Sequence, residues 1–365
     1  MNIVVVASLT LPATANYLIV ALRENGHELL VCSDLPSPLA NVNRRGVVDV
    51  DQLCRGFKFS PELFLFIEGG SMQLFPAGLE MLPCITAWYG IDTHMDFAKH
   101  LRISRLFDVS FIAQKEYVAR LHQEGLPQVH WLPLAFAPEL LPLPLPQKCV
   151  DIAHVGSMHV PANPQRHALL NCLRRVFPSH FFNSASPMEM QRIYAQSRIV
   201  FNKSVHNDVN MRFFEAAGAG AVIVTDPIVE NGLEELFEEG THYLVYQDEE
   251  SLLRMVRTLL SDPDRCMDMG AAARHRVLDR HTYAHRVKEM LALHAGAQKR
   301  ANPTPEDYFA VYLKLGLLGA ALHSVGKSIQ TSDGGKYRQF LGGIIAGLLF
   351  VLSGVLSWIE RLRAR

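Results

Sequence analysis

Short apolar runs and amphipathic stretches alternate along the chain in a regular order. Asn-Ile-Val-Val-Val-Ala at 2–7 is almost uniformly apolar and rich in β-branched residues, the pattern of a strand buried on both faces. Residues 13–25 then set Tyr17, Leu18, Ala21 and Leu22 at helical spacing, Gly26 stops that helix, and Glu-Leu-Leu-Val-Cys at 28–32 makes a second strand. Strand, helix, strand in this order predicts a right-handed crossover and a parallel sheet. Further strands are predicted at 63–68, 84–88, 109–113 and 129–132, with a helix over 114–124. A second strand-first series opens at 150–157 and continues with helices over 164–176 and 187–197. Its centre is an apolar run at 199–203, a polar turn at 204–208, a short helix from Asn210, Gly220 at the left-handed position after the helix end, and a strand at 221–226. A last strand at 244–246 and helices over 249–261, 265–279 and 281–295 follow.

Between the two series lie Pro133, Pro138, Pro142, Pro144 and Pro146, a density that fits neither a helix nor a central strand. The expected organisation is an α/β chain of two Rossmann-like, doubly wound lobes, 1–148 and 149–298, facing a cleft. A linker and a hydrophobic helical tail occupy 299–365. In a doubly wound sheet, ligands sit at the carboxyl ends of the strands, which fixes where chemistry is to be sought.

At 365 residues the length agrees with two cores. Net charge is −1, which gives no general case for nucleic acid. From Lys336 onward, Lys336, Arg338, Arg361, Arg363 and Arg365 face only Glu360, so the tail carries +4 and the rest of the chain −5. Six scattered cysteines without a C-x-x-C pair speak against a zinc knuckle and suit a reducing compartment. No signal peptide is recognisable at the first residues. Nineteen uncharged residues at 340–358 would span about 28 Å as a helix, near the thickness of a bilayer core. They would lie on or in a membrane, or pack as a long core helix. With Arg361, Arg363 and Arg365 beyond them, an arrangement with both flanks cytoplasmic satisfies the positive-inside rule. The expected location is the cytoplasm, at the inner face of the membrane.

No G-x-G-x-x-G and no Walker loop is present, and the first strand–helix turn, Ser8-Leu9-Thr10-Leu11-Pro12-Ala13, has no glycine, so no bound dinucleotide is expected there. The corresponding turn of the second lobe carries Gly156 and Ser157, where a backbone can approach a ligand closely. Arg212 and Glu215 share one face of the short helix. With Lys203 at the end of the preceding strand, Arg212 and the helix N-terminus make a candidate diphosphate site; the same spacing is also that of an i,i+3 surface ion pair. In the first lobe, Asp92 and His94 follow a strand end and are candidates for a general base, or Asp92 and Thr93 for a helix cap.

These residues carry a family resemblance. The run Asp151-Ile152-Ala153-His154-Val155-Gly156-Ser157, with Arg166 downstream, Tyr194 to Asn202, and Asn210-Met211-Arg212-Phe213-Phe214-Glu215-Ala216, resembles the CgeB-like, spore-maturation-type glycosyltransferases of the GT-B fold. The likeness extends through Gly220, Thr225-Asp226 and the segment at 236–240. It implies a hexosyltransferase-type enzyme that moves a sugar from a nucleotide-sugar co-substrate to a glycan, lipid or protein acceptor. It implies no cofactor and no metal. The donor would lie against Gly156, Ser157, Lys203, Asn210, Arg212 and Glu215, and the acceptor against Asp92 and His94. Where related enzymes carry a second glutamate, eight positions before Glu215, this chain has Asn207, with Asp208 beside it. A nucleotide-sugar epimerase or phosphorylase on the same fold, and a catalytically silent binding module, are the alternatives; a silent module needs no base in the cleft.

Overall fold

A computed structural model describes residues 1–11, 13–69, 72–158, 163–300 and 303–315. Residues 1–301 form one compact unit and 302–365 another. The first unit opens with β1 (Asn2–Ala7), α1 (Thr14–Glu24), β2 (Glu28–Ser33), β3 (Val42–Asn43), β4 (Gly46–Asp49), α2 (Val50–Gly56), β5 (Leu63–Ile67) and β6 (Leu74–Ala77). It continues with β7 (Ile85–Gly90), α3 (Phe97–Ser104), β8 (Val109–Ile112), α4 (Lys115–Gln123) and β9 (Val129–Trp131). The seven-stranded sheet runs β3-β2-β1-β5-β7-β8-β9, all parallel, and β4 pairs with β6 in a separate ribbon. Strand order reverses between β1 and β5. From Ile3 to Ala7, β1 is wholly buried, as its unbroken apolar run requires.

The second series is β10 (Val150–Val155), α5 (Pro164–Val176), β11 (His180–Asn183), α6 (Pro187–Gln196), β12 (Ser197–Phe201), α7 (Met211–Gly218) and β13 (Val222–Thr225). After it come α8 (Leu233–Leu236), β14 (Tyr243–Val245), α9 (Glu249–Ser261), α10 (Pro263–Arg280) and α11 (Tyr283–Ala295). Its five parallel strands run β11-β10-β12-β13-β14, with the order reversing between β10 and β12. The second unit is described only through α12 (Pro305–Lys314) and its flanks. The expected membrane-associated tail at 340–359 lies outside the described residues. Among the described residues no helix is long and apolar enough to cross a membrane.

Two lobes face each other, and the chain returns to the first after completing the second. Phe136 and His281–Tyr283 exchange backbone hydrogen bonds of 2.8 and 3.1 Å. Arg286, almost fully buried, donates to the Pro133 carbonyl at 2.8 Å. Tyr17 of α1 packs against Tyr283 of α11, with ring centroids 5.5 Å apart and tilted by 32°. The last helix of the span expected as the second lobe, 149–298, therefore packs on the first. One continuous apolar cluster joins both sheets through Phe136, Phe213 and Tyr283.

Several elements are absent from the sequence reading. β11 is a four-residue edge strand, too short for a periodic signal. α3 escapes because two of its buried positions are polar, His100 and Ser104. Asp96 caps α3 by accepting from the Lys99 N–H at 3.0 Å, so neither Asp92 nor Thr93 serves as that cap.

The helix that carries Arg212 is seated by a close backbone contact. Gly220 follows α7 at φ +68°, in the left-handed region. A Cβ at Gly270 of α10 would overlap the Gly220 carbonyl. Alanine improves helix propensity by about 1 kcal/mol, but separating two backbones here costs more. Gly270→Ala should destabilise the protein by a net ~1–2 kcal/mol in urea unfolding, whereas the same change at exposed Gly125 acts only through its positive φ.

Candidate functional site

A cavity of about 560 Å³ opens at the carboxyl ends of the strands, where the order of the second sheet reverses. All eight residues singled out from sequence line it: Asp92 and His94 on the first lobe, and Gly156, Ser157, Lys203, Asn210, Arg212 and Glu215 on the second. Arg166 and Asp208 line it as well. Arg166 had been noted only within the family-like run, and Asp208 only as the neighbour of Asn207.

Arg212 stands in the first turn of α7 and reaches back to the strand ends. Its Nε and Nη2 donate to the Val155 carbonyl at 3.2 and 3.1 Å, and its Nη1 donates to Asn202 Oδ1 at 2.8 Å. Asn202 is wholly buried and held in turn by Thr225 Oγ1 at 3.0 Å and Asn210 Nδ2 at 3.2 Å. The guanidinium passes so close beneath Gly156 that a Cβ there would lie 2.7 Å from Nη2. A side chain at Gly156 would have to push the Arg212 guanidinium aside. Asn210 precedes α7 without a side-chain cap; the Phe213 N–H goes to the Asn210 carbonyl, and Met211 and Arg212 of the first turn line the cavity.

Arg166 donates to the Ser157 carbonyl at 2.8 Å from the first turn of α5. Neither Arg166 nor Arg212 has an acidic partner among the described residues. Behind them His154 is wholly buried, with Nδ1 3.0 Å from the Phe201 carbonyl. Burial, together with Arg212 and Arg166, drives its pKa well below the usual imidazole value. Lys203 differs from expectation: its Nζ pairs with Asp226 Oδ2 at 2.8 Å, and Asp226 also accepts from the Ser204 N–H at 2.7 Å. The two cations without acidic partners on this wall are therefore Arg166 and Arg212, with Lys203 neutralised beside them.

Glu215 is 6% exposed, and its carboxyl makes no hydrogen bond or ion pair among the described residues, because Arg212 turns away to the strand ends. The alternative of a simple i,i+3 ion pair does not form. Burial pushes the Glu215 carboxyl up to about 7, with Arg212 opposing. Asp208 is also buried and is pushed up to about 6, while Gln114 Nε2, donating from the first lobe at 3.1 Å, partly offsets this. Asn207, at the position where related enzymes carry a glutamate, is not at the cavity. It bonds Glu116 Oε2 at 3.1 Å and the backbone of Val229. His206 and Asn207 hold φ of 48° and 65°, a strained pair that delivers Asp208 to the cleft.

On the first lobe Asp92 is exposed to the cavity and His94 is half-buried. Burial under the facing wall, then Glu68, raise the Asp92 pKa. Burial lowers that of His94, against the pull of Asp92. The rings of His94 and His206 approach across the cleft at 6.4 Å. Among the described residues no three His, Cys, Asp or Glu side chains are grouped to hold a metal.

Residues 160–292 match the model of the family described as glycosyl transferase-like. No curated protein matches the chain. The fold is similar to that of HepE from Anabaena, solved in complex with UDP and glucose: TM-score 0.60 at 13% identity, covering 80% of this chain and 99% of that one. It is also similar to sucrose-phosphate synthase from Thermosynechococcus elongatus, with TM-score 0.55, 12% identity, and 81% and 98% covered. An α-glucosyltransferase in complex with UDP-glucose and DNA containing an abasic site gives TM-score 0.58 at 11% identity, with 81% and 99% covered. The family match falls on the lobe that carries Arg166, Arg212 and Glu215, and the fold resembles that of these GT-B glycosyltransferases.

The raised carboxyl of Glu215 makes a stability prediction whose sign is fixed. The unfolded chain ionises this group near its ordinary 4.5, the folded chain only near 7. Its contribution is therefore fully present below pH 4.5 and is lost as pH rises through 7. Glu215→Gln removes the penalty. The variant should match the parent near pH 4 and exceed it at pH 8 by at most roughly 3 kcal/mol in chemical unfolding. Equal stability differences at both pH values would refute the burial argument.

Proposed function

We propose that the protein transfers a sugar from a nucleotide-sugar donor to a hydroxyl acceptor without a metal. The observation that carries this reading is the asymmetry of the cavity. One wall presents Arg166, Arg212 and the N-terminal turn of α7, which has no side-chain cap; the other presents Asp92 and His94. Fixed cations and helix N–H groups stabilise the charge that grows on a diphosphate leaving group as the sugar becomes oxocarbenium-like. Because the arginines are held by carbonyls rather than carboxylates, their charge remains available to the ligand. Asp92, or His94 paired with it, accepts the acceptor's proton as the new bond forms. Ser157 and Gly156 let the backbone approach the donor, Lys203 and Asn210 complete that wall, and Glu215 lies one helical turn in, placed to bond ribose hydroxyls. UDP and UDP-glucose in the structural neighbours support a uridine nucleotide as the first donor to try. The run from Asp151 to Ser157 and the Asn210-to-Ala216 segment support the CgeB-like branch within this class.

On sequence grounds the uncharged run at 340–358, with its basic flanks, supports association with the inner membrane face; removal of 336–365 would then release the protein from anionic vesicles while donor binding stays.

Thermal unfolding with UDP, GDP, ADP and CDP tests the donor site directly, since a ligand that binds only the folded state raises the transition by mass action. One of them should do so, UDP first. Arg212→Ala and Arg166→Ala should each weaken that nucleotide by tenfold or more, about 1.4 kcal/mol. Chelation with EDTA should leave sugar release from the donor unchanged. Failure of all four nucleotides to bind would remove this reading and favour the silent module.

A further inference from the structure

Behind the Asp92–His94 turn sits a carboxylate that the transfer chemistry does not itself require. Glu68 follows β5 and is 4% exposed. Its Oε2 accepts from the Ile91 N–H at 2.6 Å and the Asp92 N–H at 2.9 Å. Its Oε1 lies 3.0 Å from Nε2 of the wholly buried His100 and 3.6 Å from Lys99 Nζ. From the other side the buried Gln114 closes the same turn. Its Oε1 accepts from the Thr93 N–H at 3.2 Å, and its Nε2 donates to the Ile91 carbonyl and, at 3.1 Å, to Asp208 across the cleft. His100 Nδ1 and Thr93 Oγ1 are 3.0 Å apart. The backbone of residues 91–93 is thus held by two buried side chains, one of them charged.

A neutral amide can hold such a turn, as Gln114 does through the Thr93 N–H and the Ile91 carbonyl. A buried acid is expensive unless it is paired and hydrogen-bonded. Here it is both, and its charge lies behind the two residues that would move a proton. We propose that Glu68 is a positioning residue that fixes the Asp92–His94 turn through its two backbone hydrogen bonds and makes the turn more basic through its charge. The inference rests on the reading of Asp92 and His94 as the proton-accepting pair.

The surrounding groups set the expected sign. Burial works against an ionised Glu68, but His100, the Asp92 N–H and Lys99 outweigh it, so its carboxyl stays below the usual range and is charged at neutral pH. His94 is faced by Asp92, His206, Glu68 and His100; of these Asp92 and Glu68 favour its protonated form, and His206 and His100 oppose it. Asp92 is faced by Glu68, His94, Asp208 and His100, with Glu68 and Asp208 raising it and the two histidines lowering it. Removing the charge of Glu68 therefore lowers the proton affinity of both members of the pair.

Two variants of the full chain separate tether from charge. Glu68→Gln keeps an acceptor for the backbone N–H groups and loses the charge; Glu68→Asp keeps the charge and withdraws the carboxylate by one methylene. With histidines labelled at Cε1 and His94 assigned through His94→Gln, NMR titration should give His94 a lower proton affinity in Glu68→Gln, on the order of threefold, and a near-parental one in Glu68→Asp. Hydrogen exchange at the Ile91 and Asp92 amides should accelerate on the order of tenfold in Glu68→Asp. An unchanged His94 midpoint in folded Glu68→Gln, or unchanged exchange in Glu68→Asp, overturns the proposal. Neither readout needs a substrate. Turnover of Asp92→Asn and His94→Gln tests the underlying reading separately: parental rates there, with the His94 titration still shifted, would show that the proton-accepting pair was misassigned and that Glu68 holds a turn without a catalytic role.

Discussion

The guanidinium of Arg212 ties the start of α7 to two strand ends, ten and fifty-seven residues earlier in the chain. It leaves the first turn of α7, crosses beneath Gly156, and ends on the Val155 carbonyl and on Asn202 at the end of β12. Strand ends of a parallel sheet present carbonyls that the ladder no longer satisfies, and the planar guanidinium meets one of them, Val155, with two N–H groups while a third goes to the Asn202 side chain. The consequence is a charge fixed in place without a counter-charge. Because Arg212 is occupied in this direction, the Glu215 carboxyl one turn later is left without a partner among the described residues, and a side chain at Gly156 would have to displace the guanidinium. The donor wall follows from this one placement.

The opposite wall is built on a different principle. Asp92 and His94 gain nothing from a helix terminus. Their turn is fixed by side chains that reach it from underneath and from across the cleft, Glu68 and Gln114. Gln114 also bonds Asp208, so the same residue aligns the two lobes. Around it Asn207, Glu116 and Asn231 form a further polar contact between the lobes. The strained φ angles at His206 and Asn207 persist because these bonds over-determine them. Cations line one side of the cavity and titratable acid and imidazole the other, an arrangement that separates stabilising the leaving group from accepting a proton.

Much of the architecture was legible in the sequence, and for a simple reason. A strand buried on both faces must be apolar at every position, so 2–7, 150–155 and 199–201 stand out without any knowledge of their neighbours. Helices that cover such a sheet show their spacing equally plainly. The polar residues left at the ends of these runs are the ones that can face a ligand, which is why Asp92, His94, Gly156, Lys203 and Arg212 could be singled out in advance and why they share one cavity. The reading faded where burial was polar. α3 hides His100 and Ser104, and Glu68 ends an apolar strand looking like any surface acid.

Sequence alone determined which long apolar segments are strands, that they run parallel, and which polar residues stand at strand ends. These are local properties, set by periodicity and by β-branching. Partnership was decided only by the tertiary structure. Lys203 found Asp226 and ceased to be a free cation, Arg166 arrived beside Arg212 from a helix forty-six residues earlier, and Asn207 turned outward so that Asp208 faced the cleft. Spacing along a chain says what two residues could do together; which neighbour a charge meets, and how much water is left around it, depends on chain segments that packing brings alongside from elsewhere in the sequence.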